Sequence, residues 1–279
     1  MTPDGLIATA SVRLAAAGVE TPRAEARRLL AHLLGVERGG TLSLPPLTPQ
    51  QVAAFEGLVA RRAAREPFAY IAGRKEFWSL EFEVGPGVLV PRPDTETLIE
   101  EALRRVPDRD APLRIADLGT GSGAILVAAL TEFPNATGIG FESAPPAHAY
   151  AVRNAARHVG GRAEISASDW NRAAGPFDLV FSNPPYIATA DIESLEPEVA
   201  RREPRAALDG GRDGLDAYRA LAELLPRILG PGGFALLEMG QGQVPALKSL
   251  FGARAPGLEI VAVAPDLGGV SRCLTLRKP

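Results

Sequence analysis

Short apolar runs alternate with stretches of helical spacing through most of the chain. Helical spacing occurs, for example, from Thr95 to Arg105, where Asp94 is the expected N-cap, and from Ala124 to Phe133. The apolar runs predict seven strands, near residues 113–118, 136–141, 163–167, 178–182, 233–239, 258–264 and 271–277. Strands and helices in alternation indicate an α/β fold with a mostly parallel sheet covered by helices on both faces.

The first 75 residues have a different pattern, which is typical of a small helical bundle. Three Thr-Pro pairs, at residues 2–3, 21–22 and 48–49, each place a capping hydroxyl before a proline suited to the first helical turn. Gln51 completes a capping box with Thr48. Two apolar faces follow at helical spacing, formed by Leu29, Leu30, Leu33 and Leu34 and by Val52, Phe55, Leu58 and Val59.

Three segments are therefore expected. Residues 1–75 form the helical domain, and residues 94–279 form the α/β domain. Between them, aromatic residues and polar alternation around Gly85-Pro86-Gly87 predict a β-hairpin connector over residues 76–93.

Composition narrows the class of protein. The chain has 279 residues, of which 46% are hydrophobic, and its net charge is −3. No apolar run reaches the length of a membrane span, and Met1–Gly18 lacks the features of a secretory peptide, so a cytoplasmic protein is expected. A single cysteine excludes an internal disulfide, and the three scattered histidines predict no metal site and no histidine-driven triad.

A glycine-rich turn is the first candidate for ligand binding. The strand near 113–118 runs into Gly119-Thr120-Gly121-Ser122-Gly123 and then into a helix, and glycines at such a turn let a ligand approach the backbone. The spacing fits neither the dinucleotide fingerprint nor the phosphate loop. Glu142 ends the next strand, where a carboxylate is expected to accept hydrogen bonds from ribose hydroxyls, although an ordinary solvated acid is the alternative.

The tetrapeptide Asn183-Pro184-Pro185-Tyr186 names a reaction more directly. It follows the strand over residues 177–182, and neither proline can donate to a sheet ladder, so the chain must leave the sheet there. The Asn183 side-chain oxygen and the Pro184 carbonyl are acceptors for the two hydrogens of an –NH2 group, and Tyr186 can cover its flat face. The tetrapeptide predicts methylation of a planar nitrogen. The alternative is a proline-rich turn that only ends a strand.

Taken together, these features closely resemble the protein-(glutamine-N5) methyltransferase family that modifies peptide chain release factors in bacteria and organelles. The segments that carry the resemblance are Val90-Pro91-Arg92-Pro93-Asp94-Thr95-Glu96, Asp117–Gly123, Asn183–Tyr186, Glu203–Gly211 with Asp213-Gly214-Leu215, and Leu237-Glu238-Met239-Gly240. The glycine turn and the tetrapeptide are shared with the wider methyltransferase superfamily. The first and fourth segments resemble the glutamine-methylating branch in particular.

The resemblance implies a fold, a cofactor and a set of site residues. The implied fold is Rossmann-like, with a mostly parallel seven-stranded sheet whose last two strands are antiparallel, and the implied cofactor is S-adenosylmethionine. Cofactor contacts are then expected from Gly119, Thr120, Gly121, Ser122, Gly123, Glu142, Trp170 and Asn183. Catalytic roles are expected for Asn183, Pro184 and Tyr186, and substrate contacts for Asn183, Pro184, Pro185 and Tyr186. Glu142-Ser143-Ala144 departs from the family, which usually shows Asp-x-Ser.

The resemblance also implies a partner, the class 1 peptide chain release factors, with residues 1–75 as the docking domain. A monomer without membrane or direct nucleic-acid contact is expected. Three alternatives stay open: a ribosomal-protein glutamine methyltransferase, an adenine-amino nucleic-acid methyltransferase, and a non-catalytic adaptor. The overall charge of −3 argues against a duplex binder, although residues 1–75 carry 10 Lys and Arg against 6 Asp and Glu.

Overall fold

The computed structural model describes residues 2–36 and 45–279, and these divide into two compact units. One unit comprises Met1–Gly73 together with Glu196–Arg202, and the other comprises Arg74–Leu195 together with Glu203–Pro279. The helices are α1 (Pro3–Ala16), α2 (Pro22–Leu34), α3 (Pro49–Ala63), α4 (Phe68–Ala72), α5 (Glu96–Arg105), α6 (Ala124–Glu132), α7 (Pro145–His158), α8 (Pro197–Ala200), α9 (Asp216–Ile228) and α10 (Val244–Arg254). The strands are β1 (Arg74–Phe77), β2 (Leu80–Glu83), β3 (Arg114–Leu118), β4 (Thr137–Phe141), β5 (Ala163–Ser166), β6 (Phe177–Ser182), β7 (Leu229–Glu238), β8 (Glu259–Pro265) and β9 (Ser271–Arg277).

Capping threonines begin two of the helices in the helical unit. The Thr2 hydroxyl accepts a hydrogen bond from the Gly5 amide (3.3 Å), and Thr48 forms the predicted capping box with Gln51. Thr21 precedes α2 as expected, but its backbone is left-handed, with φ 42°, and its hydroxyl makes no capping bond within the described part of the chain. The capping role predicted for Thr21 is therefore wrong, although the helix begins where predicted.

The same unit takes in a distant piece of the chain. Arg62 is buried on α3, and its guanidinium reaches the carboxylates of Glu25 and Glu198, each at 2.8 Å. Arg65 also pairs with Glu198, and the Arg202 guanidinium donates to the Ala64 carbonyl (2.7 Å). These charge-assisted bonds hold residues 196–202 against the helical unit.

A seven-stranded sheet is the centre of the larger unit. Its order is β5-β4-β3-β6-β7-β9-β8; the first five strands are parallel, and β9 runs antiparallel to both β7 and β8. All seven predicted strands are present, which confirms the predicted fold class. β7 begins earlier than expected, at Leu229, and its pairing with β6 shifts register between Phe177 and Leu179.

Two apolar layers cover the two faces of this sheet. Ile115 and Phe181 point into a layer shared with α5, α6 and α7, where Leu98, Leu126 and Ala155 are buried. Ala116 and Val180, the neighbours in sequence, enter the opposite layer with residues of α9 and α10. This alternation follows from the pleat of a strand that is buried on both faces.

A two-stranded antiparallel hairpin, β1 with β2, precedes the sheet. Its turn lies at Trp78 and Ser79, which both have positive φ, of 51° and 58°. The sequence predicts the hairpin around Gly85-Pro86-Gly87, but these residues follow β2. The predicted position of the hairpin turn is therefore wrong.

The start of α5 also differs from expectation. Asp94 lies inside a short 3₁₀ turn, Pro93–Thr95, so it is not the N-cap of the helix. Its carboxylate instead lies 3.1 Å from the guanidinium of Arg272. Among the described residues, no helix combines the length and apolar character needed to cross a membrane.

Candidate active site

A cavity of about 310 Å³ opens where the parallel strands of the larger unit end. Its lining includes Gly119–Ser122 after β3, Glu142 after β4, Trp170 after β5 and Asn183 after β6. Open α/β sheets place their ligands at this edge, beside the strands where the chain order reverses. β3 is that strand here, because its neighbours are β4 and β6.

The backbone of the glycine turn has positive φ angles, which residues with a side chain adopt only under strain. Gly119, Gly121 and Gly123 all have positive φ, of 78°, 58° and 82°. A Cβ on Gly119 would lie 3.2 Å from the Trp170 ring, whereas a Cβ on Gly121 would meet no protein atom within 4 Å. Gly123 begins α6 as its N-cap and does not line the cavity.

Asp117 supports the glycine turn from the end of β3. It is fully buried at the end of β3, and burial raises the pKa of its carboxyl group to about 7. The Thr120 hydroxyl donates to Asp117 Oδ2 over 2.5 Å, which opposes the rise. The pair ties the last residues of the strand to the turn that follows.

Glu142 has a structural task that the sequence did not reveal. Its carboxylate accepts hydrogen bonds from the backbone N–H groups of Gly121 (3.0 Å) and Ala144 (2.8 Å). Glu142 therefore holds the glycine turn against the end of β4 while it lines the cavity. Its contact with a ribose stays a prediction.

The tetrapeptide residues are divided between the cavity and the protein interior. Asn183 and Pro185 line the cavity, whereas Pro184 is buried and Tyr186 is not part of the lining. The Tyr186 hydroxyl donates to Glu238 Oε1 (3.2 Å), and burial raises the pKa of this hydroxyl well above its usual range. The roles of Pro184 and Tyr186 toward substrate stay predictions.

The loop over residues 203–215, which carries part of the family resemblance, packs against the backbone of the tetrapeptide. A Cβ on Gly210 would lie 2.7 Å from the Pro185 carbonyl oxygen, and one on Gly214 would collide with the Tyr186 carbonyl. The Ile187 carbonyl also accepts from the Gly210 amide (2.8 Å). Glycine is required at both positions because the two backbones touch.

Arg92 and Glu203 anchor the beginning of that loop. Arg92 lines the cavity, and its guanidinium pairs with the buried carboxylate of Glu203, which also accepts from the Val90 amide (3.4 Å). The pair connects the segment before α5 with the loop after α8. Neither residue was predicted as a site residue, although both lie in the family-like segments.

Two further residues were missed, Thr95 and Glu238. The Asn183 side-chain NH2 donates to the Thr95 hydroxyl (3.3 Å), and Thr95 lines the cavity. Glu238 ends β7, where burial raises the pKa of its carboxyl group to about 7, against the hydrogen bond from the Tyr186 hydroxyl (3.2 Å). The sequence signal that could have identified Thr95 and Glu238 is their position in two of the segments that carry the family resemblance.

Comparison with known proteins agrees with this architecture. Residues 5–73 match the PrmC N-terminal domain family, and residues 95–205 match the methyltransferase small domain family. Among solved structures, a methyltransferase from Pyrococcus furiosus shares the fold, with a TM-score of 0.55 at 21% identity over 78% of this chain and 98% of that one.

Closer relatives share most of their length with this chain. It is 47% identical over 270 residues to the release factor glutamine methyltransferase of Rhodospirillum rubrum, a match that covers 95% of this chain and 82% of that protein. The identity to the enzyme of the same name from Geobacter sulfurreducens is 47% over 263 residues, covering 93% of this chain and 90% of that one. The resemblance inferred from the motifs is confirmed, and the chain belongs to the release factor glutamine methyltransferase family.

Proposed function

We propose that this protein transfers a methyl group from S-adenosylmethionine to the side-chain amide nitrogen of the glutamine in the Gly-Gly-Gln motif of class 1 peptide chain release factors. The observation that carries the proposal is the meeting of Gly119–Ser122 and Asn183 in one cavity of a chain from this family. The cavity joins a backbone turn suited to a cofactor with an amide suited to an –NH2 group.

The cavity residues fit the cofactor. Gly121 leaves open space beside the turn, and the Trp170 ring lies next to Gly119, where an adenine could pack against it. Glu142 uses its carboxylate oxygens on two backbone amides, and each oxygen has a further lone pair for ribose hydroxyls. Thr120 and Ser122 complete the turn, and Gly123 directs it into α6.

Orientation is the main contribution of this chain to the reaction. When bound, S-adenosylmethionine supplies an activated methyl group on a sulfonium, so strong acid-base catalysis is not required. A glutamine amide nitrogen is a poor nucleophile because its lone pair is delocalised into the carbonyl. The Asn183 oxygen and the Pro184 carbonyl accept its two hydrogens, which places partial negative charge where positive charge develops on nitrogen.

The proton is lost after the methyl group arrives. The methylated amide nitrogen is then strongly acidic, and water takes its proton. We therefore assign no dedicated base. Pro185 shapes the substrate side of the cavity, and Tyr186 supports the tetrapeptide through its hydrogen bond to Glu238.

The proposed partner has further consequences. Residues 1–75 supply the second docking surface, because a single glutamine on a short loop offers few contacts of its own. The substrate belongs to translation, so we infer a cytoplasmic location. A monomeric state and the lack of direct nucleic-acid contact stay predictions.

Methyl transfer with labelled cofactor tests the proposal. The purified protein is incubated with a class 1 release factor, with the same factor carrying Ala in place of the Gly-Gly-Gln glutamine, with ribosomal proteins and with DNA. Label is expected on the first factor alone. Label on ribosomal protein or on DNA adenine would support those alternatives, and binding of the factor without label would support an adaptor.

A further inference from the structure

We propose that Asn154 is a positioning residue for the cofactor, because its buried side chain ties two walls of the cavity together. One wall is the glycine turn, Gly119–Ser122, and the other is the segment Gly87–Pro91, which follows β2. The inference rests on the cofactor of the proposed function. It assigns a task to a residue that does not itself line the cavity.

Asn154 lies on α7 and is fully buried. Its Oδ1 accepts a hydrogen bond from the backbone N–H of Glu83 (2.8 Å), and its Nδ2 donates to the carbonyl oxygens of Glu83 (3.0 Å) and Ser122 (2.9 Å). A backbone N–H can only donate and a carbonyl can only accept, so these partners determine the orientation of the amide. Both hydrogens of its NH2 group are used.

The bond to Ser122 fixes one peptide plane of the glycine turn. The Ser122 carbonyl and the Gly123 N–H belong to the same peptide unit, and that N–H donates to the Thr120 carbonyl (2.8 Å). Glycine tolerates both signs of φ, so a peptide beside Gly123, whose φ is 82°, can flip unless it is held. A flip would turn over the backbone at Ser122, which lines the cavity. Asn154 therefore keeps the turn in one conformation.

The bonds to Glu83 fix the start of the second wall. Glu83 is the last residue of β2, and the amide of Asn154 pairs with both of its backbone polar groups, as a neighbouring strand would. From Glu83 the chain runs on to Gly87, where it reaches the cavity. A Cβ on Gly87 would lie 2.7 Å from Pro146, so this segment passes close to the start of α7. One helix thus positions both walls.

Cofactor affinity should depend on this connection. A site whose walls are already ordered binds more tightly, because less conformational freedom is lost on binding. Asn154→Ala should weaken the binding of S-adenosylmethionine, measured by calorimetry, by about 10- to 100-fold, the range typical for loss of a residue that orients a binding group. The KM for the cofactor should rise accordingly. At saturating cofactor, kcat should change by less than about threefold, because a residue behind the cofactor acts on ground state and transition state alike.

Two further variants separate the hydrogen bonds from packing and from the attachment of β2. Asn154→Leu keeps the volume of the side chain and removes its hydrogen bonds, and it should weaken cofactor binding as Asn154→Ala does. His158→Phe is the matched control. His158 is also on α7, and its ring packs on Phe82 of β2, but its Nε2 donates to the Glu81 carbonyl (2.8 Å) and not to the glycine turn. Affinity in His158→Phe should stay within about threefold of the parent. Full affinity in Asn154→Leu, or an equal loss in His158→Phe, would overturn the proposal.

Hydrogen exchange gives a readout that needs no cofactor. In cofactor-free Asn154→Ala, amide exchange should become faster in residues 83–91 and 119–123 together, and it should stay unchanged in β7. Faster exchange over the whole protein would show that Asn154 only maintains the fold, and this result would overturn the positioning role. Faster exchange in one of the two segments alone would overturn the connection between the walls.

The outcomes also separate this role from the proposed function. If the parent protein methylates the factor and both Asn154 variants bind the cofactor normally, the role of Asn154 alone is overturned. If the variants lose cofactor affinity as expected but the parent protein does not methylate the factor, the proposed function alone is overturned.

Discussion

Asp117 of β3 lies directly opposite Phe181 of β6 in the parallel sheet. Gly119 follows two residues after Asp117, and Asn183 follows two residues after Phe181. The glycine turn and the tetrapeptide, which are far apart in sequence, therefore emerge side by side from the same edge of the sheet. This register is what makes one cavity out of two motifs.

The amide of Asn183 should contribute mainly to turnover. Asn183→Ala removes one of the two acceptors of the substrate –NH2 group, and loss of one such positioned group lowers kcat by about 10²- to 10³-fold. The measurement is methyl transfer to the release factor, with circular dichroism to check the fold. Asn135→Ala is the control, since Asn135 is exposed and hydrogen-bonds to Asp110 away from the cavity. Turnover within a few-fold of the parent would contradict the assigned role.

The space beside Gly121 should be needed for the cofactor. A branched side chain in Gly121→Val would project into the cavity and would also strain a left-handed residue by about 1–2 kcal/mol. Calorimetry should detect no binding of S-adenosylmethionine to this variant. Gly252→Ala is the control, because Gly252 lies on α10 with open space around it. Unchanged affinity in a folded Gly121→Val protein would mean that the turn is structural.

Turnover should depend on the ionisation of Glu238. Burial raises the pKa of its carboxyl group from 4.5 to about 7, so the carboxylate is lost as the pH falls through about 7. A neutral Glu238 accepts a weaker hydrogen bond from the Tyr186 hydroxyl, which ties the last residue of the tetrapeptide to β7. We expect kcat to fall below neutrality, and Glu238→Gln, which cannot titrate, should reduce this fall. A parent profile that is flat across neutrality would contradict this assignment.

The hydroxyl and thiol groups around Glu238 do not provide a competing titration near neutrality. Burial raises the pKa of the hydroxyl groups of Tyr186 and Tyr218, and it raises the pKa of the Cys273 thiol to about 12. Asp94 and Arg272 face the same region as an ion pair, at 3.1 Å. Asp117, under the glycine turn, also has a pKa of about 7, so it is the difference between the parent profile and the Glu238→Gln profile that reports on the carboxyl group of Glu238.

Asp117 should make the stability of the protein fall as the pH rises. Burial raises the pKa of its carboxyl group from 3.8 to about 7, so the native state binds this proton more tightly than the unfolded state does. The associated stability is complete below pH 3.8 and is lost as the pH rises through about 7. Asp117→Asn does not titrate at this position. Its free energy of unfolding, relative to that of the parent, should therefore rise as the pH increases from 3.8 to about 7. Urea unfolding at several pH values measures the difference, and a constant difference would contradict the raised pKa.

Removal of the helical residues should separate docking from chemistry. A chain that begins at Arg74 should still bind S-adenosylmethionine but should use the intact release factor poorly, and a short Gly-Gly-Gln peptide should lose much less activity. The truncation removes the helices with which residues 196–202 pair, so monodispersity must be established first. Equal losses on the factor and on the peptide would rule out docking by this part of the chain.

The local sequence determined the elements and both cavity motifs. Each strand of the sheet, the glycine turn and the tetrapeptide could be predicted, because apolar periodicity and the chemistry of glycine and proline act over a few residues. The family-like segments also pointed to the correct family. These features depend on neighbours in the chain.

Only the tertiary structure determined which residues distant in sequence contact each other in the site. Three contacts join residues that are far apart in sequence: Gly121 with Glu142, Asn183 with Thr95, and Arg62 of α3 with Glu198. The burial of Glu238 likewise depends on neighbours from other elements. Which donor meets which acceptor, and how far burial shifts a pKa, depend on packing across the fold. No period or spacing along the chain encodes those pairings, so the sequence could name the motifs but not the hydrogen bonds that orient them.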